Sequence, residues 1–169
     1  GWDQVSGYCD NNVNGYKIGQ NTSANEGAFC SVTPTHQEPI FTTFTETAAN
    51  MPALMAQSNN QLWPTIASSS VDFYGQNKIP GWNYSLLISP LKKDRVYRVS
   101  LNATGTDVIG DTIPYFRNDG NRIRRVTISS DGLKFYVARD AGATINGGAI
   151  MEYTYAGVIL SLNENPGVR

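Results

Sequence analysis

From Asn121 to Asp140 the chain reads Asn-Arg-Ile-Arg-Arg-Val-Thr-Ile-Ser-Ser-Asp-Gly-Leu-Lys-Phe-Tyr-Val-Ala-Arg-Asp. Leu133, Phe135 and Val137 fall at every second position, the period of a half-buried strand. Ile123, Val126 and Ile128 supply the apolar surface of the segment before it. Between the two stands Ser-Asp-Gly, where Gly132 takes positive φ without a Cβ penalty and Asp131 can bond its own backbone. The pattern predicts a hairpin. A hairpin brings the chain back to its start, so Arg122, Arg124 and Arg125 at one outer end and Arg139 and Asp140 at the other belong to one edge of a sheet.

The same alternation recurs upstream. Strands are predicted over Thr65 to Tyr74, Tyr84 to Ser89 and Arg95 to Asn102, with a looser fourth over Val108 to Phe116. Val96, Val99 and Leu101 mark the third, with Tyr97 on the facing side. The series then restarts: Arg122 to Ser129, Leu133 to Arg139, Ala149 to Tyr155 and Gly157 to Leu162. Each series runs strand, turn, apolar strand, polar loop and aromatic-rich strand. Two consecutive four-stranded antiparallel units are the pattern of β-propeller blades. Closing a propeller takes about 4 to 8 blades, so the chain reads as part of a ring. A β-sandwich of eight strands is the structural alternative.

Before Leu62 there is little sustained periodicity, and Asn, Gly, Thr and Ser dominate. Ile40 to Glu46 reads as a strand, and Ala48 to Gln57 as a short helical turn with Pro52 near its start. The expected organisation is therefore an all-β chain: a loop-rich segment over 1–62, blades over 63–118 and 119–162, and a tail over 163–169.

Composition narrows the function. Thirteen Lys and Arg against 14 Asp and Glu in 169 residues give no global pull toward nucleic acid or an anionic membrane. No apolar run approaches the roughly 20 residues of a membrane span. The chain opens Gly1-Trp2-Asp3, as expected of a processed product or a piece of something longer. Its two cysteines, Cys9 and Cys30, are placed to close a disulfide worth roughly 3 kcal/mol on the loop-entropy model; two unrelated free thiols are the alternative. Three Asn-x-Ser/Thr sequons, at Asn21, Asn83 and Asn102, point to a secreted or periplasmic protein and to possible glycosylation.

In a blade, the turn into the first strand and the turn between the second and third open on one face near the axis. In the first unit those positions hold Trp63-Pro-Thr65 and Leu91-Lys92-Lys93; in the second, Asn121-Arg122-Ile-Arg124 and Arg139-Asp140. Lys92, Arg122 and Arg124 are then expected to converge, with Thr65 and Asp140 beside them. Taken singly, each has a plain structural role: solvated face for the cations, turn former for Asp140, strand start for Thr65. Together they suit an anionic ligand, whose carboxylates arginine grips bidentately and lysine meets as a point charge. His36, the single histidine, gives no basis for a catalytic triad or a multi-histidine metal site.

At these residues the sequence resembles the glucose/sorbosone dehydrogenases, six-bladed propellers dependent on pyrroloquinoline quinone (PQQ). The resemblance runs through Gly1-Trp2 with Gly7-Tyr8, Trp63-Pro-Thr-Ile-Ala-Ser-Ser-Ser70, Ile79-Pro-Gly-Trp-Asn-Tyr-Ser-Leu-Leu87, Leu91-Lys92, Asp111-Thr-Ile-Pro-Tyr-Phe116, Asn121-Arg-Ile-Arg124 and Leu133-Lys-Phe-Tyr-Val137 through Asp140-Ala-Gly142. It is nearly continuous from Leu62 to Tyr155. It implies that the chain is the C-terminal part of the enzyme, roughly its last two blades plus a long preceding loop region.

By the same resemblance, Lys92, Arg122 and Arg124 hold the quinone's carboxylates and carbonyls, Thr65 contacts the cofactor, and Asp140 sits beneath it. Trp63 lines the sugar site, where an aromatic wall suits the apolar face of a pyranose. Asn60 stands where the glucose enzymes carry a tyrosine, which leaves the choice of sugar open. The family's catalytic histidine, which takes the proton of the sugar C1 hydroxyl, and its calcium ligands lie in earlier blades, and His36 does not match them. The implied partners are a monosaccharide and the N-terminal blades. A non-catalytic propeller remnant, or a cofactor-free sugar-binding β module using Trp63 and Trp82, is the competing expectation.

Overall fold

The computed structural model describes residues 30–31, 37–43, 53, 56, 66–117, 121–140 and 147–157. Seven strands form within them: β1 (Ser68–Tyr74), β2 (Ser85–Pro90), β3 (Val96–Leu101), β4 (Val108–Tyr115), β5 (Ile123–Ile128), β6 (Lys134–Arg139) and β7 (Ala149–Thr154). The first four make one antiparallel sheet in chain order, and the last three a second. The chain is all-β with antiparallel sheets, as expected. Of the strand predicted over Gly157 to Leu162, only Gly157 is described, and it is not in a strand.

The predicted hairpin is β5–β6. Gly132 closes it at φ +72°, its amide donating to the Ser129 carbonyl at 2.9 Å. Asp131 accepts from the Leu133 amide at 3.0 Å and from the Ser129 hydroxyl at 2.5 Å. A Cβ at position 132 would also press on the Gln76 side chain at 3.0–3.1 Å, so local space adds to the positive φ in favouring glycine there.

The core lies between the sheets. Tyr74, Leu87 and Val96 meet Ile123, Val126, Phe135 and Val137, all fully or almost fully buried. Trp82 and Phe116 add an aromatic seam, with Trp82 4.6 Å from Tyr115 and 5.2 Å from Phe135, and Phe116 4.6 Å from Tyr153, centroid to centroid. Such pairs add roughly 0.5–1.5 kcal/mol each beyond burial. Trp82 is thus partly buried, its ring packed against the core.

Strand β3 departs from its predicted faces. Its register pairs Arg98 with Leu87 and Tyr97 with Ile88, so Val96 and Arg98 look toward the second sheet. Tyr97, Val99 and Leu101 share the opposite side. The physical reason is parity: Val96 and Val99 are three apart, and a regular strand turns them to opposite faces.

Strand β5 is an edge of its sheet, and its open backbone is met by side chains of β1, which packs against it. The Ser69 hydroxyl donates to the Ile123 carbonyl at 3.1 Å. The Val126 amide donates to Ser70 Oγ at 3.3 Å, and the Ile128 amide to Asp72 Oδ2 at 2.9 Å. At the far end the Tyr74 hydroxyl donates to the Gly132 carbonyl at 2.9 Å and accepts from the Ile79 amide at 3.1 Å. An exposed sheet edge is a liability; here one strand's side chains close it.

The N-terminal expectations are only partly within view. Ile40 to Thr43 are described and are not in a strand, since no described strand pairs with them. Ala53 and Ala56 are helical, in keeping with the predicted helical turn, and Cys30 and Ser31 are helical too. Phe44 to Glu46 lie outside the described residues. Among those described, no helix is long and apolar enough to cross a membrane.

Candidate functional site

Two bulges shape one end of the sheets. In β1 the register passes from Ser68↔Pro90 to Ser70↔Ser89, which leaves Ser69 as an extra residue. In β5 it passes from Ile123↔Arg139 to Arg125↔Ala138, which leaves Arg124 extra. Both sit at the second residue of the opening strand of a sheet. A bulge re-aims a side chain and reverses the strand's facing beyond it. That is why Ile123 and Val126, three apart, are both buried, while Arg124 and Arg125 are both exposed.

Arg124 turns to Asp140. Its Nη2 lies 2.6 Å and its Nε 3.2 Å from the same carboxylate oxygen, Oδ2. The Arg124 side chain is 51% exposed and that of Asp140 24%, so solvent still reaches the guanidinium. Arg122 is exposed beside them, and its carbonyl accepts from the Asp140 amide at 2.8 Å. The hairpin geometry therefore brings Arg122, Arg124 and Asp140 to one corner.

Lys92 is attached to the same end from the other sheet. Its amide donates to the Ile66 carbonyl at 3.1 Å, and the Leu91 amide donates to the Ala67 carbonyl at 2.9 Å. Ala67 takes φ +50° to present those carbonyls, a left-handed conformation costing roughly 1–2 kcal/mol outside glycine. Ser69 then joins the two groups: its hydroxyl lies 2.9 Å from the Ser89 carbonyl at the end of β2 and 3.1 Å from the Ile123 carbonyl at the start of β5. The backbones carrying Lys92 and Arg122 to Arg124 are thus linked through one side chain.

The remaining expected residues divide simply. Thr65 immediately precedes Ile66 but lies outside the described residues, as do Trp63, Asn60, His36, Cys9 and Asn21. Cys30 is not a free thiol. Of the sequons, Asn83 accepts from the Tyr84 amide at 2.9 Å, while the following Ser85 is buried against Arg98. Asn102 anchors an exposed loop, accepting from Thr104 at 3.0 Å and from the Thr106 amide at 2.9 Å. Among the described residues no three His, Cys, Asp or Glu side chains are grouped to hold a metal ion.

Two residues escaped sequence reasoning. Ser69 sits in a run of three serines, where nothing marks the bulged one. Arg98, only 8% exposed, donates to Ser85 Oγ (2.9 Å), Ser100 Oγ (3.0 Å) and the Gly81 carbonyl, with its guanidinium 5.1 Å from the Trp82 ring centre. The three-residue spacing of Val96 and Val99 was the available signal that an inward position had gone to Arg98.

The chain has recognisable relatives. Over 107 residues it is 33% identical to the quinoprotein glucose dehydrogenase B of Acinetobacter calcoaceticus, a match covering 55% of this chain and 22% of that protein. Among solved structures it is similar to a glucose dehydrogenase (25% identity, TM-score 0.45, 56% of this chain and 27% of the other). It is also similar to a soluble aldose sugar dehydrogenase of Escherichia coli (31% identity, TM-score 0.42, 52% and 23%). The chain thus spans under a third of each relative's length. The sequence model of the glucose/sorbosone dehydrogenases matches residues 36–147, well over half of the chain, and the chain belongs to that family.

Proposed function

We propose that the chain is the C-terminal portion of a PQQ-dependent sugar dehydrogenase, contributing two blades of a six-bladed propeller and the cradle that holds the quinone. The observation that carries this reading is the corner at which Arg122, Arg124 and Asp140 meet, linked through the Ser69 hydroxyl to the Ser89 carbonyl three residues before Lys92. Two arginines stand there beside the Asp140 carboxylate, and Lys92 is carried at the same end of the neighbouring sheet. Guanidinium and ammonium donors, partly open to solvent, suit a flat ligand bearing several carboxylates and carbonyls.

When bound, the quinone supplies the two-electron acceptor for the hydride of the sugar C1. The part of this chain is to bind and orient. Arg122 and Arg124 hold carboxylate or carbonyl oxygens, Lys92 adds a point charge, and Asp140 keeps Arg124 aimed and limits repulsion among the cations. Thr65 adds a contact to the cofactor, and Trp63 and Asn60 belong to the sugar side. The base that takes the C1 hydroxyl proton and the calcium ligands belong to the N-terminal blades, so this portion by itself is inactive. Export to the periplasm or outside the cell, with Cys9 and Cys30 paired, completes the reading.

The test is a spectral titration of the full-length protein with PQQ in the presence of calcium, followed by addition of aldoses. Saturable binding and sugar-dependent bleaching of the bound quinone are expected. A folded protein that binds no quinone would identify a non-catalytic propeller remnant instead.

A further inference from the structure

We infer that Ser69 is a positioning residue that sets the separation between Lys92 and the two arginines, and so tunes affinity for a rigid polycarboxylate; this rests on the quinone-cradle reading above. Its single hydroxyl proton is shared between two carbonyl oxygens, Ser89 at 2.9 Å and Ile123 at 3.1 Å. They belong to different sheets. Ser89 stands three residues before Lys92, and Ile123 stands between Arg122 and Arg124. Two carbonyl dipoles directed at one point repel each other, and the shared proton turns that repulsion into a link.

The bulge makes this possible. Ser69 is the residue left out of the β1–β2 ladder, so its side chain is released from the regular alternation that commits Ser70 and Asp72. Those two also meet β5, but they accept from the Val126 and Ile128 amides, farther along the strand from the arginines. Ser69 alone of the three donates, and it does so at the residue between the two site arginines.

A ligand whose carboxylates are fixed on a fused ring gains most from a preset spacing, because a mis-set cradle cannot be followed by ligand flexibility. Removing the hydroxyl is therefore expected to weaken quinone binding more than it weakens the fold.

The experiment is PQQ titration of the full-length apoprotein, with thermal unfolding measured in parallel, for the wild type and for Ser69→Ala, Ser69→Thr, Ser70→Ala and Arg124→Ala. Ser69→Ala is expected to raise the dissociation constant roughly threefold to tenfold, the worth of one hydrogen bond. Ser69→Thr, which keeps the hydroxyl, should bind like the wild type. Ser70→Ala, which loses a comparable bond between the sheets, should lower the melting temperature without changing the dissociation constant. Wild-type affinity in Ser69→Ala, or equal weakening in Ser70→Ala, overturns the positioning role while leaving the cradle standing. Unchanged binding in Arg124→Ala, or none in the wild type, overturns the cradle and this inference with it. Should Ser69→Ala fail to fold, Ser69→Cys, a close match in shape with a weak donor, takes its place.

Discussion

Arg124 directs two donors, Nη2 at 2.6 Å and Nε at 3.2 Å, onto a single oxygen of Asp140, sixteen residues away across the β5–β6 hairpin. The pair exists because the bulge removes Arg124 from the ladder and the hairpin returns the chain beside it. It leaves the guanidinium half in solvent, held in place yet open to a further acceptor.

Binding and stability should therefore separate at this residue. An ion pair this exposed contributes little to folding, roughly 0.5 kcal/mol or less once solvent screening is counted. Arg124→Ala should leave urea unfolding of the full-length protein nearly unchanged while weakening quinone affinity about tenfold to a hundredfold, the loss of charge-assisted bonds to a carboxylate. Parallel denaturation and titration curves check it. A large stability loss with intact binding would make Arg124 structural.

Tyr74 makes the opposite case. Its hydroxyl joins the Gly132 carbonyl to the Ile79 amide in a fully buried setting. Tyr74→Phe leaves two buried polar groups unmet and should cost about 1–3 kcal/mol in unfolding free energy. Quinone affinity should not change, because the tie lies at the hairpin-turn end, away from the arginines.

Arg98 tests whether a buried guanidinium can be replaced by another cation. It meets three oxygen acceptors and lies over Trp82 in a fixed fork. A lysine cannot reach all of these and keeps the charge to be desolvated, so Arg98→Lys should cost about 2 kcal/mol or more. Arg98→Met, which removes the charge with the bonds, should be the milder change in chemical denaturation. Equal stability for the two variants would show that the fork geometry does not matter.

The Ser129–Gly132 turn should carry a measurable pH dependence. The Ser129 hydroxyl, then the Leu133 amide, hold the Asp131 carboxyl below its ordinary value of 3.8. A depressed folded-state value means the stabilisation is present above pH 3.8 and is lost as pH falls through the lower folded-state value. Glu152, held below 4.5 chiefly by its bond from Lys134, slopes the same way. Asp131→Asn should be less stable than the wild type at neutral pH, with the difference shrinking in acid. A difference independent of pH would assign the stabilisation to shape rather than charge.

Much of the architecture was legible beforehand because it rests on local rules. The Asp-Gly turn, the clean alternation of Leu133, Phe135 and Val137, and the paired series of strands each depend on a few neighbouring residues. The corner of Arg122, Arg124 and Asp140 followed from the hairpin, since antiparallel pairing must return the chain. The errors share one cause. Reading Val96 with Val99 on one face treated apolar character as proof of facing, and Arg98 held the inward position instead. Ile40 to Thr43 had strand-like composition, but a strand also needs a partner edge, which no local pattern supplies.

By itself the sequence determined that the chain is all-β, where its hairpin turns, and which cations one sheet edge collects. Each follows from backbone freedom at single residues and from the two-residue period. Only the tertiary structure decided that Ser69 and Arg124 are the bulged residues, that β1 side chains close the edge of β5, and that one serine hydroxyl joins the two sheets beside the arginines. Those outcomes depend on register between segments more than fifty residues apart, and register is settled by which apolar faces bury together, an energy that no short stretch of chain contains.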